Sequence, residues 1–230
     1  RRVKRGAQVM QGTGDHGLMV LRDAGLMAGY QAGAINQTLL KTGALERGAH
    51  KRIAETTTWW LDCTEEDGLQ PGQPGHRLTL HVRLMHALVR DQLSRSPEWD
   101  ADWLGLPINQ VDMQATYLAF SAVHLLGLRL TGMLFAQEDA DAVMHLWRYI
   151  GWLMGVDARW LHDDEHSGRI ALYQNVLAQA APDETSIQLG RPLMDEPLQR
   201  HYKRFAWIQG RFNRARMRAT EPCSCSSSTT

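Results

Sequence analysis

Apolar residues recur at three- and four-residue spacing along almost the whole chain, and alternating or β-branched runs are scarce. That pattern predicts an all-α fold. A first helical region covers about Asp15 to Thr42, with several glycines that permit close packing or local breaks. A second runs from about Ala49 to Glu65 and stops at Asp67-Gly68, and the Gly- and Pro-rich segment from Gly68 to Gly75 is a loop on composition. A third spans about His76 to Leu93, followed by turn formers from Ser94 to Pro107. Asn109 is placed to N-cap a long apolar helix that reaches about Met133, with Asp112 near the positive end of its dipole. Further helices are expected near Glu138 to Met154, Glu165 to Ala180 and Glu196 to Arg218. No internal repeat is visible.

The chain has 230 residues, of which 43% are hydrophobic, enough for one core. We therefore expect one helical domain over 1–218 and a disordered Ser/Thr-rich tail over 219–230. Zero formal net charge argues against nucleic acid as the main partner. The basic run of Arg200, Lys203, Arg204, Arg211, Arg214, Arg216 and Arg218 reads as a solvated helix face. No apolar run reaches the roughly 18 residues of a membrane span, and even Tyr117 to Leu128 is interrupted by His124. A protein without a transmembrane segment is expected, either cytoplasmic or exported, since the chain begins with Arg1 and leaves its compartment open. Cys63, Cys223 and Cys225 form neither a disulfide framework nor a zinc-finger spacing. Oligomeric state is not legible.

The richest stretch chemically is Val82-Arg83-Leu84-Met85-His86-Ala87-Leu88-Val89-Arg90. Arg83 precedes His86 by three residues and Arg90 follows it by four, so all three share one helix face. A histidine in an apolar helix can ligate haem iron through a neutral ring nitrogen, while flanking cations neutralise the propionates. The same residue is also consistent with a hydrogen-bonded core histidine. On the preceding helix Arg52, Glu55, Thr56 and Trp59 form one stripe, costly to bury without partners. A polar pocket would satisfy them, as would a surface contact of Arg52 with Glu55 or Thr56 beside a core tryptophan.

Together these helices resemble the rubber-oxygenase catalytic domain shared by latex clearing proteins and the oxygenase of mycophenolic acid biosynthesis. The resemblance covers about His16 to Arg211. It is carried by Arg52-x-x-x-Thr56 and the His86 segment, and more loosely by Gly105-Leu106-Pro107-Ile108-Asn109-Gln110 and by Trp147 to Gly155. It implies a globin-like helical core in which His86 is the proximal iron ligand of a noncovalent haem b, with Arg52 and Thr56 lining the pocket. The implied reaction is dioxygenase cleavage of a carbon–carbon double bond in an apolar, isoprenoid-like substrate, leaving carbonyl ends. Arg52 and Thr56 are suitable donors toward negative charge developing on oxygen.

Two departures bear on substrate. Glu55 stands where rubber-cleaving enzymes carry a lysine, and Asn36 falls where they use a glutamate as base. Glu55 could replace that base if desolvation raised its pKa. Two further readings stay open. One is a haem-based sensor or carrier without turnover, or a helical interaction protein that has lost haem. The other is a non-haem metal site on His162-Asp163-Asp164-Glu165-His166, with His16, His124 or His145 as added ligands, although Asp163 and Asp164 also suit a solvated helix start.

Overall fold

The computed structural model describes residues 1–43, 48–179 and 181–195, and every regular element among them is helical. The expected helix Glu196 to Arg218, its basic run and the tail lie outside the described residues. The first element was not expected: α1 (Arg2–Gly12) precedes the first region assigned from sequence. That region is broken into α2 (Gly14–Val20), a π-helical turn (Leu21–Leu26), α3 (Met27–Gly29) and α4 (Gly33–Lys41). Next come α5 (Ala49–Thr64) and α6 (Pro74–Ser94), joined by a turn in which Asp67 takes a positive φ of 61°. A short α7 (Ala101–Leu104) falls within the expected connection.

The long apolar helix is α8 (Gln110–Leu118), a second π-helical turn (Ala119–Val123) and α9 (His124–Leu130) in unbroken succession. Asn109 caps it as expected, its Oδ1 accepting from the backbone N–H groups of Val111 and Asp112. The chain closes with α10 (Gln137–Met154), α11 (Glu165–Ala178) and α12 (Glu184–Asp195). No helix among the described residues is long and apolar enough to cross a membrane.

Helix α10 is the axis of the core. Its Ala140, Val143, Met144, Leu146, Trp147 and Ile150 are all buried, because they recur every three or four residues. Helix α1 lies directly on it: a Cβ on Gly6 would collide with the carbonyl oxygen of Ala142 and stand 2.9 Å from Leu146 Cβ. Gly6→Ala is therefore expected to lift α1 and destabilise the protein by about 1–3 kcal/mol, read as a lowered melting temperature.

Helices α5 and α6 form a hairpin whose register is set near the turn. Gly75 passes under the carbonyl of Asp62, where a Cβ would stand 2.5 Å from the oxygen. One turn further on, the Trp59 indole donates to Thr79 Oγ1 at 3.0 Å, and Thr79 in turn donates to Gly75 O at 2.6 Å. Trp59 also meets Phe120 and Trp147 edge-on, with ring centroids 5.2 and 5.7 Å away, which fastens the hairpin to the core.

Asp112 shows what the sequence could not: it sits on the buried side of the first turn of α8, only 7% exposed, and burial pushes its carboxyl up to about 6. A raised folded-state pKa makes the charge a burden that appears as pH rises from 3.8 toward 6. Asp112→Asn is expected to stabilise the protein at pH 7 by roughly 2 kcal/mol, after loss of its attraction to the helix dipole. No gain is expected below pH 4. Urea unfolding at the two pH values checks this.

Candidate functional site

The structure brings Arg83, His86 and Arg90 to one cavity of about 400 Å³, walled also by Ala87, Leu106, Ile108, Met113 and Met154. This is the face expected from their spacing. The His86 ring is half-buried, and its Nδ1 is sealed from solvent with no hydrogen-bond partner. Burial, aided by the Arg90 charge, pushes its pKa below the usual value, so the imidazole is neutral at pH 7. A neutral ring with an unused nitrogen at a cavity is the form that binds a metal centre.

The two arginines do not stand free as the propionate reading implied. Arg83 Nη1 donates to Leu153 O at 3.2 Å. Arg90 spends Nε on Pro107 O at 3.2 Å and Nη2 on Ile108 O at 2.7 Å. Each guanidinium carries five N–H donors, so both keep some for an anionic ligand. Gly155 makes room for Arg83: at φ 98° it adopts a conformation that favours glycine, and a Cβ there would press on Arg83 Nε at 3.2 Å.

The far wall is the segment Gly105–Asn109. Ile108 has a φ of 51°, a costly backbone for a β-branched residue, on the order of 1–2 kcal/mol. Gln110 ties this wall to the Arg83 side, donating to Gly155 O at 3.2 Å and accepting from Asp157 N at 2.8 Å. The sequence pointed to 105–110 by resemblance alone. The positive φ at an isoleucine carries no sequence signal.

Arg52, Glu55 and Thr56 are not among the residues that wall this cavity. Arg52 lies over the Tyr30 ring, 5.4 Å from its centroid, and Thr56 is half-buried. Both sit on the stripe that begins at Trp59, as His86 sits on the stripe that begins at Thr79. From the Trp59–Thr79 bond it is seven residues back to Arg52 and seven on to His86, so the two lie about 10 Å along their helices at 1.5 Å per residue. The hairpin thus gives them matching levels.

Glu55 requires a correction. Its side chain is 63% exposed and faces Lys51 at 3.8 Å, so the desolvation expected to turn it into a base is missing. Asn36, by contrast, is fully buried; its Nδ2 donates to Tyr30 O at 2.8 Å and Ser186 Oγ at 3.1 Å, and its Oδ1 is left without a partner.

The alternative metal cluster is also corrected. His145 pairs with Asp163 at 3.0 Å, His16 meets Thr131 Oγ1 at 2.7 Å, and His124 stacks on Trp60 with ring centroids 6.0 Å apart. No group of three metal-ligating side chains converges among the described residues. Asp164 is instead the N-cap of α11, accepting from Ser167 N at 2.8 Å. Glu165 is not part of a solvated start: it is buried in a two-pronged ion pair with Arg129, at 2.8 and 3.2 Å.

Comparison with known proteins matches residues 6–224 to the family described as the ER-bound oxygenase mpaB/B'/rubber oxygenase catalytic domain. The chain belongs to this family. It is similar to the rubber oxygenase of Streptomyces sp. (strain K30), with 27% identity over 112 residues, which is 48% of this chain and 28% of that protein. Among solved structures it is similar to latex clearing protein LCP in the closed state. That likeness has a TM-score of 0.72 at 20% identity, over 91% of this chain and 60% of the other. The chain therefore spans well under two thirds of both relatives. The structural likeness shows the helical fold, and the all-α class expected from periodicity stands.

Proposed function

We propose that this chain is a haem b-dependent oxygenase that uses dioxygen to cleave or oxidise a carbon–carbon double bond of an apolar, isoprenoid-like substrate. The observation that supports it most is the partnerless, neutral His86 facing a cavity flanked by Arg83 and Arg90, in a family described as oxygenases. The residues present fit haem: a neutral imidazole for the iron and two guanidiniums with donors to spare for carboxylates.

When bound, haem with one imidazole ligand supplies an open iron position at which dioxygen chemistry occurs. The chain's own residues do the rest. His86 holds the metal centre, and Arg83 and Arg90 offer positive charge along the same helix face. Arg52 and Thr56, on the partner helix, provide donors for negative charge that develops on oxygen. Leu106, Ile108, Met113 and Met154 give the cavity apolar walls that suit a hydrocarbon chain.

Glu55 is not assigned the base. Glu55→Gln is expected to leave turnover within about twofold, as for an exposed surface carboxylate. Asn36 favours a second reading, a haem sensor or carrier, because a buried amide cannot take a proton where rubber-cleaving relatives use a glutamate.

The test is to purify the chain after haem supplementation, record oxidised and dithionite-reduced spectra, and incubate it in air with polyisoprene and a short polyunsaturated isoprenoid. A Soret band that shifts on reduction, with carbonyl products trapped by a hydrazine reagent, is expected. Stable dioxygen binding without products would select the sensor; a colourless protein would end both haem readings.

A further inference from the structure

Four consecutive carbonyls in the cavity wall, Gly105 to Ile108, each accept a hydrogen bond from a side chain. The Trp99 indole donates to Gly105 O at 2.8 Å and Asn109 Nδ2 to Leu106 O at 3.2 Å, while Arg90 serves Pro107 O and Ile108 O. Backbone groups in a loop are ordinarily satisfied by water or by a turn. Here side chains dictate the path, and two of the four bonds come from one residue.

The same stretch carries two positive φ values, 68° at Gly105 and 51° at Ile108. Glycine adopts such a backbone freely; isoleucine does so only when its surroundings over-determine it. Trp99 and Asn109 hold the segment at Gly105 and Leu106, on the side away from Ile108. The bonds that reach the strained residue and its neighbour are those of Arg90, and they are charge-assisted and therefore the stronger kind. The segment's outward side chain, Leu106, is 65% exposed at the cavity's edge, so the strap is fixed by its carbonyls and not by burial of Leu106.

We infer that Arg90 is a positioning residue: its guanidinium holds the strained Gly105–Ile108 strap in place as the wall of the cavity beside His86. Without those two bonds, Ile108 relaxes toward an ordinary negative φ and the wall formed by Leu106 and Ile108 moves. Arg90 thereby sets the width of the space in front of His86. The strap's mechanics need no ligand; their bearing on catalysis rests on the haem reading above.

The experiment uses the full chain with Cys223 and Cys225 replaced by Ser and a nitroxide attached at Leu106→Cys, without any porphyrin. Cys63 is buried and its thiol is pushed up to about 12, so it does not compete for label. A slowly tumbling label is expected in this parent. Arg90→Gln is expected to raise its mobility several-fold, and adding Ile108→Asn, which tolerates the left-handed backbone, is expected to restore the slow spectrum. If Arg90→Gln does not fold by circular dichroism, Arg90→Lys replaces it; one ammonium group in place of the fork predicts intermediate mobility. A label as immobile after Arg90 substitution as before, or mobility that Ile108→Asn does not reverse, overturns the inference. Because no porphyrin is present, this result is independent of whether the chain binds haem.

Discussion

Replacing His86 by Ala is expected to abolish the Soret band of the haem-supplemented protein while the helices stay in place. The two halves of this result have separate causes. Haem would lose its only assigned iron ligand, which predicts at least about a 100-fold fall in affinity in a haemin titration. The fold would lose little, because the turn end of α6 is anchored by Gly75 and Thr79 and its far end by buried Leu93. Alanine is also the better helix former, and its methyl removes a buried nitrogen that has no partner. Circular dichroism should show unchanged helicity, with the ligand-free melting temperature within a few degrees of the parent. A variant that keeps an unshifted Soret band would mean that another residue ligates the iron. A variant that unfolds would mean that His86 is a core residue first.

The second large effect concerns His124 and runs through stability. Its ring is fully buried against Trp60, and neither nitrogen has a hydrogen-bond partner. Burial pushes its pKa down to about 4. With a depressed folded-state value, the native chain resists a proton that the unfolded chain accepts near pH 6.5. Stability is thus undiminished above pH 6.5 and falls as pH drops toward 4, by roughly 3 kcal/mol at about 1.4 kcal/mol per pKa unit. Asp112 acts in the opposite direction over part of this window, since acid relieves its buried charge. The His124 share is therefore read as the difference between parent and His124→Leu at each pH. Leucine has similar volume and no polar atoms, so the variant should be more stable by about 1–3 kcal/mol at pH 7. Its advantage should widen on acidification. A constant difference from pH 7 to pH 4 would rule out a buried neutral His124. Since His124 is far in sequence from the cavity residues and lines none of it, this variant should retain haem, and it serves as a control for His86→Ala.

Period alone was enough to read α5, α6, α10 and α11 from the sequence, because each buries a regular stripe and begins or ends on a capping or turn residue. Asn109 was legible for the same reason. Helix α1 was equally periodic at Val3, Ala7 and Met10, but several charges and glycines around these positions diluted the signal. The π-turns were not legible, since one extra residue in a turn leaves composition untouched. In the site, the shared face of Arg83, His86 and Arg90 followed directly from helical spacing. Their partners did not, because the carbonyls of Leu153, Pro107 and Ile108 come from segments 17 to 70 residues away. Glu55 was misjudged for a related reason: helical period places it near the Arg52 face, but only tertiary packing decides whether that face is covered at Glu55, and it is not.

The two π-turns, Leu21–Leu26 and Ala119–Val123, pack against each other at the heart of the fold. A wide turn is what an α-helix becomes when it absorbs one surplus residue without breaking. Downstream of the second turn lie His124, Leu125 and Leu128, all fully buried. Excising a single residue from Ala119–Val123 would rotate them by about 100°, the angle each residue subtends in an ordinary helix, and turn Leu126 inward in place of Leu125. The helix would read as more regular and the protein would lose its core. Alignments of this chain with its relatives should therefore place no gap in 119–123, however freely gaps fall a few residues beyond Leu130.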